Sequence, residues 1–181
     1  MTIAEFDASI ANSQEGDTFE LIDGVPLLAG DPTETHEQIA SNIGARLKLG
    51  TDKRGCRTYQ GGMAVQASAS PAGCNKFRPD VVVRCGPLSD NTYMTDPVVI
   101  VEVVSPSTID LDRGHKLQFY EKLPTVRHIV LAYADRKRVE HYRRTEGGWE
   151  GEVRSTSEST LVLDAVEFRV DLARIYFGVH L

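Results

Sequence analysis

Cysteine is scarce, and nothing in its spacing suggests a framework. The 181 residues hold three, Cys56, Cys74 and Cys85, with no Cys-x-x-Cys pair. That pattern argues against both a disulfide scaffold and a zinc ribbon, so three reduced thiols are expected. Long hydrophobic runs are also lacking: the longest apolar stretch, Val98 to Val104, is interrupted by Glu102. A membrane-spanning helix needs about 18 apolar residues or more, so none is expected. The opening residues, Met1 to Asp7, have neither a basic start nor a long apolar run. They lead us to expect no secretory signal and a cytoplasmic location. The chain has no Gly-x-x-x-x-Gly-Lys-[Ser/Thr] loop, which excludes the NTP-binding motors built on it. No zinc finger or recognition helix is legible, so no sequence preference toward nucleic acid can be read.

Basic residues are absent from the first quarter of the chain. Residues 1–45 carry nine acidic side chains and no Lys or Arg, whereas residues 113–144 carry nine Lys or Arg and three acids. A basic segment suits a polyanion, although two oppositely charged solvated faces would look the same. What is present is ordinary for a globular protein: 41% hydrophobic residues, 25% charged and a net charge of -6. The length suits a single domain over residues 1–181 with a core of its own.

The element pattern is mixed. Thr2-Ile3-Ala4-Glu5 has capping-box spacing and predicts a short helix to about Asn12. Thr18 to Ile22, the Asp23-Gly24 turn and Val25 to Leu28 read as a hairpin. Thr35 with Gln38 has capping spacing, and Ile39, Ile43 and Leu47 recur at helical period, so a helix is expected to run to about Gly50. Strands are expected near Arg57–Gln60 and Met63–Ala67, a loop over Ser68–Lys76, and buried strands at Asp80–Cys85 and Val98–Val104. Asp110 to Lys122 reads as a helix, followed by strands at Arg127–Tyr133, Arg138–Arg143, near Trp149 and at Thr160–Leu163, then a final helix over Asp171–Phe177. The expected fold is α/β (α+β): a mixed sheet flanked by helices, with additional C-terminal strands.

Two of those strands carry a carboxylate in a Val/Ile background. Asp80 opens the first and Glu102 sits inside the second. An ionised acid buried alone in a sheet is costly, so it calls for a cation or a metal. Asp80 also fits a simple strand-start cap. Two neighbouring carboxylates suit Mg²⁺, which binds through one or two acids and keeps several waters. Lys116 follows Asp112 by one helical turn. That spacing fits a surface ion pair, or a cation that orients a nucleophilic water and balances phosphate charge.

Phe19-Glu20-Leu21-Ile22-Asp23-Gly24, His36-Glu37-Gln38-Ile39, Pro79-Asp80-Val81-Val82-Val83, Val101-Glu102-Val103-Val104-Ser105-Pro106-Ser107-Thr108 and Asp112, Lys116 and Tyr120 occur in that order. This ordered set resembles the Uma-two family of restriction-endonuclease-like proteins within the PD-(D/E)XK nuclease superfamily, over roughly residues 3 to 170. The resemblance implies a restriction-endonuclease-like core, Mg²⁺ (or Mn²⁺) held by Asp80 and Glu102, and Glu20 as a further acid beside it. The superfamily places a lysine two residues after the second acid. Here that position is Val104, and the resemblance implies that Lys116, on the next helix, takes over. His36 would touch phosphate, carry a proton or simply bond at its helix start, and Tyr120 would pack on the sheet and fix the lysine. The expected activity is metal-dependent hydrolysis of phosphodiester bonds in nucleic acid, most simply DNA, by a homodimer. Arg136, Lys137 and Arg138, with Arg143 and Arg144, are the expected backbone contacts. The alternative is a catalytically inactive nuclease-fold module that binds nucleic acid or a protein partner.

Overall fold

The computed structural model describes the chain except residues 12, 14–16, 53–54, 68–73 and 107. The expected helix end at Asn12, most of the Ser68–Lys76 loop and Ser107 of the Ser-Pro-Ser-Thr stretch lie outside the described residues. Helix α1 (Ile3–Ile10) starts at Thr2 with the reciprocal capping box to Glu5. Strands β1 (Phe19–Ile22) and β2 (Val25–Leu28) form the hairpin around Asp23 and Gly24, both at positive φ (48° and 80°), as a two-residue Asp-Gly turn requires. Helix α2 (Glu34–Thr51) is capped by Thr33, two residues before the expected Thr35. Its Oγ1 accepts the His36 N–H, which sets His36 in the first turn.

Next come β3 (Cys56–Gln60), β4 (Ala64–Gln66), β5 (Lys76–Phe77), β6 (Val81–Cys85), β7 (Tyr93–Met94) and β8 (Val99–Val104). A helical crossover follows: α3 (Ile109–Leu111), a π-helical turn (Asp112–Lys116) and α4 (Leu117–Lys122). It joins β8 to its parallel neighbour β9 (His128–Tyr133), the connection that parallel strands need. The chain continues through β10 (Val139–Thr145), β11 (Gly148–Arg154), β12 (Thr160–Leu163), a 3₁₀ turn (Asp164–Val166), β13 (Phe168–Asp171) and α5 (Leu172–Ile175).

The main sheet has six strands in the order β11-β10-β9-β8-β6-β3, and a second sheet has five in the order β2-β1-β5-β4-β7. Strands β12 and β13 pair separately. Alternation along β8 sends Val99, Val101 and Val103 into a core with Ile39, Ile43 and Leu47 of α2 and Ile175 of α5. It sends Ile100 and Val104 into the opposite core with Phe77, Phe119 and Tyr120. Glu102 shares that second face. The mixed sheet with flanking helices is thus as expected. The additional strands β5 and β7 have only two residues each, too few for a period-2 pattern to be read, whereas the four-residue β13 does alternate and was missed.

Two features depart from the sequence reading. Cys56 and Cys85 form a disulfide, because the β3–β6 register sets them directly opposite one another, and Cys74 alone is a free thiol. The second is a buried histidine pair on the α2 face of β9 and β10. His128 Nδ1 and His141 Nε2 are 3.0 Å apart, His128 Nε2 is 2.8 Å from Asp164, and His141 Nδ1 is 2.9 Å from Glu152. Burial, with His141 beside it, pushes the His128 imidazole down to about 4, against the pull of Asp164. Among the described residues no helix is long and apolar enough to cross a membrane.

Candidate active site

The site forms where the start of β6 meets the second half of β8. The β6–β8 register pairs Val81 with Val101. One residue further along, it sets Asp80 opposite Glu102, with both side chains on one face of the sheet. Asp80 Oδ2 accepts the Val103 N–H at 2.6 Å. This bond anchors the first acid to the strand that carries the second. His36 approaches the same oxygen from the first turn of α2, with Nε2 at 3.3 Å. Burial works to lower the His36 pKa, but Asp80 outweighs it and holds the imidazole above its ordinary value.

Glu102 is 3% exposed. It receives the Tyr120 hydroxyl at 2.6 Å and faces the Lys116 ammonium at 3.5 Å, both at Oε1. Burial pushes its carboxyl well up. The Lys116 charge opposes that shift, and Asp80, Asp112 and Glu20 add to it. Lys116 is 7% exposed and lies at 3.2 Å from Glu20, 3.4 Å from Asp112 and 3.5 Å from Glu102. Burial alone would strip its proton, but the surrounding carboxylates raise its pKa and keep it charged. Glu20 also accepts the Arg78 N–H at 2.7 Å, which ties β1 to the segment leading into Asp80.

The structure therefore brings Asp80, Glu102, Lys116, Glu20 and His36 together. The superfamily lysine position, Val104, is buried in the apolar core instead. Asp112 was not expected in the cluster, yet it is 3% exposed and carries a carboxyl raised by burial. Tyr120 fixes Glu102 rather than the lysine. Arg136 and Lys137 lie exposed in the β9–β10 turn, and Arg138 is half-buried against Glu140. Two expected contacts do not reach the site. Arg144 is consumed by the carbonyls of Val126, Glu121 and Leu123 and stacks on Trp149. Arg143 pairs with Glu150 and Asp164 beside the histidine pair, on the opposite face of the sheet.

Among the described residues, no three His, Cys, Asp or Glu side chains gather as a ready-made metal cluster. Glu20, Glu102 and Asp112 converge on the Lys116 ammonium instead. Asp80 and Glu102 still offer hard carboxylate oxygens on one face, and a Mg²⁺ ion that keeps most of its waters needs no more than two. The donor set fits that ion.

A mixed sheet that gathers an Asp, a Glu and a Lys beside its inner strands β6 and β8 is a nuclease-like fold. The fold matches a crystal structure described as a putative nuclease from Anabaena variabilis, with a TM-score of 0.80, 16% identity and 97% of each chain covered. Residues 3–173 match the Uma-two family, described as "Putative restriction endonuclease", and the chain belongs to that family. Two uncharacterized proteins of Synechocystis sp. are also similar. One is 26% identical over 71% of this chain and 67% of its own length, the other 28% identical over 69% and 71%.

Proposed function

We propose that the protein is a Mg²⁺-dependent endonuclease that hydrolyses phosphodiester bonds, with DNA as its substrate. The observation that carries this reading is the charged, buried Lys116 ammonium at 3.5 Å from Glu102, on the sheet face that Glu102 shares with Asp80. Asp80 and Glu102 would hold the metal, which when bound supplies Lewis acidity toward a phosphate oxygen and lowers the pKa of a water. Lys116 orients the attacking water and stabilises negative charge on the phosphoryl oxygens in the transition state. Glu20 and Asp112 keep the ammonium protonated and aimed. Tyr120 fixes the Glu102 rotamer. His36, its pKa raised beside Asp80, carries a proton or contacts a phosphate oxygen at the mouth of the site. Cutting both strands of a duplex takes two such sites, which a symmetric pair of chains supplies.

A second reading, a nuclease fold retained for binding alone, is favoured by one observation: Lys116 already compensates the carboxylates around it without a metal. Incubating supercoiled plasmid with Mg²⁺, Mn²⁺ or EDTA separates the two. The nuclease reading expects nicking with metal, none with EDTA, and a loss of about 100-fold or more in Asp80→Ala, Glu102→Ala and Lys116→Ala. Each variant would be assayed at a temperature where it is folded by circular dichroism. Folded wild-type protein that leaves plasmid and single-stranded DNA intact with either metal refutes this reading and favours the second.

A further inference from the structure

The sheet face that carries Glu102 holds another buried acid two strands away. The β8–β9 register pairs Glu102 with Leu131, and the β9–β10 register pairs Leu131 with Glu140. At about 4.8 Å per strand, Glu140 lies roughly 10 Å from Glu102. Like Glu102, it shares this face with apolar side chains, Leu131 beside it among them. A leucine would fill such a position without the desolvation that a carboxylate suffers.

Glu140 is surrounded by donors. The Tyr133 hydroxyl donates to Oε1 at 2.7 Å and the Tyr142 hydroxyl to Oε2 at 2.9 Å. Arg138 approaches Oε1 through Nε at 3.2 Å and Nη2 at 2.9 Å. Arg113 Nε lies 3.3 Å from Oε2. Burial works to raise the Glu140 pKa, but the bonds from Tyr133, Arg138 and Tyr142 and the Arg113 charge outweigh it, and the carboxyl stays below its ordinary value. Glu140 is thus ionised throughout the neutral range.

The acid holds two cations that still face solvent. The Arg113 side chain is 50% exposed and that of Arg138 35%. Arg113 also lies on the π-helical turn between Asp112 and Lys116, so it sits beside the catalytic cluster in chain as well as in space. The Arg136 guanidinium stacks on the Tyr133 ring at 4.6 Å, and Arg138 approaches the same ring at 5.4 Å. Guanidinium groups held at fixed positions with free donor edges match phosphate oxygens.

We infer that Glu140 is the positioning residue of a phosphate grip, in which Arg113 and Arg138 hold the nucleic-acid backbone beside the cleaved bond. The inference rests on the nuclease reading. The roughly 10 Å between the two acids places the grip within a few nucleotides of the cleaved bond. The grip is independent of base sequence, since it touches backbone alone.

The test is DNA binding in EDTA, where no cleavage occurs, with a short fluorescein-labelled duplex read by anisotropy from about 50 to 200 mM salt. Arg113→Ala and Arg138→Ala are each expected to flatten the slope of log K against log salt by about 0.9. Arg174→Ala, on α5 across the sheet, is expected to leave the slope unchanged. Glu140→Gln is the discriminating variant. It removes a negative charge, so long-range attraction alone would tighten binding, whereas loss of the arginine positions weakens it several-fold. In the metal-dependent cleavage assay the same variants are expected to raise KM and leave kcat within about twofold. Wild-type binding with unchanged slopes in both arginine variants overturns the grip and leaves the nuclease reading standing, as does tighter binding by Glu140→Gln. If Glu140→Gln does not fold, the two arginine variants, altered at side chains that are 50% and 35% exposed, decide the matter alone. Failure of the wild type to bind DNA overturns both.

Discussion

Replacing Lys116 by methionine keeps much of the side-chain volume and removes the charge. Three carboxylates, Glu20, Glu102 and Asp112, then lose the cation that lies 3.2 to 3.5 Å from each. At an effective dielectric constant of about 20, each contact contributes about 5 kcal/mol of Coulomb attraction. Desolvation of the four buried groups offsets most of the combined attraction. Removing one partner of a buried pair has a net cost of about 3 to 5 kcal/mol, because it leaves charge uncompensated. For a chain of this size that lowers the melting temperature by roughly 10 °C. The loss depends on pH with a definite sign. Glu102 and Asp112 already have carboxyls raised by burial, and without the ammonium they rise further. Lowering the pH protonates them in the folded state and removes the repulsion, so the penalty is larger near neutral pH and shrinks toward pH 4. The assay is urea unfolding of wild type and Lys116→Met in EDTA at both ends of that range. Equal stability of the two proteins near neutral pH, or a penalty that does not change with pH, would refute this account of the cluster.

The Cys56–Cys85 bond closes a loop with a sequence separation of 29, which corresponds to about 3 to 4 kcal/mol of stabilisation on the chain-entropy account. Dithiothreitol is accordingly expected to lower the unfolding midpoint of the wild type but not of Cys56→Ser, and an unchanged wild-type midpoint would mean that the thiols are reduced in solution. His128 binds its proton only near pH 4 in the folded chain, against an ordinary value of 6.5. Its depressed pKa therefore contributes stability that rises by roughly 3 kcal/mol between pH 4 and 6.5 and is flat above. The difference in unfolding free energy between wild type and His128→Leu should follow that curve, and a difference constant across the range would count against it.

Asp80 and Glu102 were legible because their surroundings are so apolar: an Asp and a Glu embedded in Val and Ile stand out in any reading of the chain. Lys116 and Tyr120 were legible as an i, i+4 pair, and both do reach Glu102. Asp112 was hidden because an Asp-Lys pair one turn apart has the same spacing on an exposed helix as on a buried one. The π-helical turn has no sequence period of its own to betray it. Arg143 and Arg144 are adjacent in a strand and therefore point to opposite faces, so they could not both serve one surface. The disulfide depended on strand register, which brings residues 29 apart into opposition and cannot be read from cysteine spacing. Glu140 lies in a stretch that reads as an ordinary alternating strand, and only the β8–β9–β10 register aligns it with Glu102.

The hairpin has a consequence for how copies of this chain meet. Strand β2 is the outermost of its sheet and exposes Val25, Leu27 and Leu28, an apolar rim of the kind that recruits foreign strands. In a two-residue hairpin Ile22 and Val25 are hydrogen-bonded to each other, so the next pair, Leu21 and Pro26, directs its backbone nitrogens away from the partner strand. Pro26 therefore meets the open side with a ring where a donor would be. The rim is sticky but lacks a donor at its centre, which discourages strand-by-strand polymerisation while leaving the neighbouring side chains available for packing.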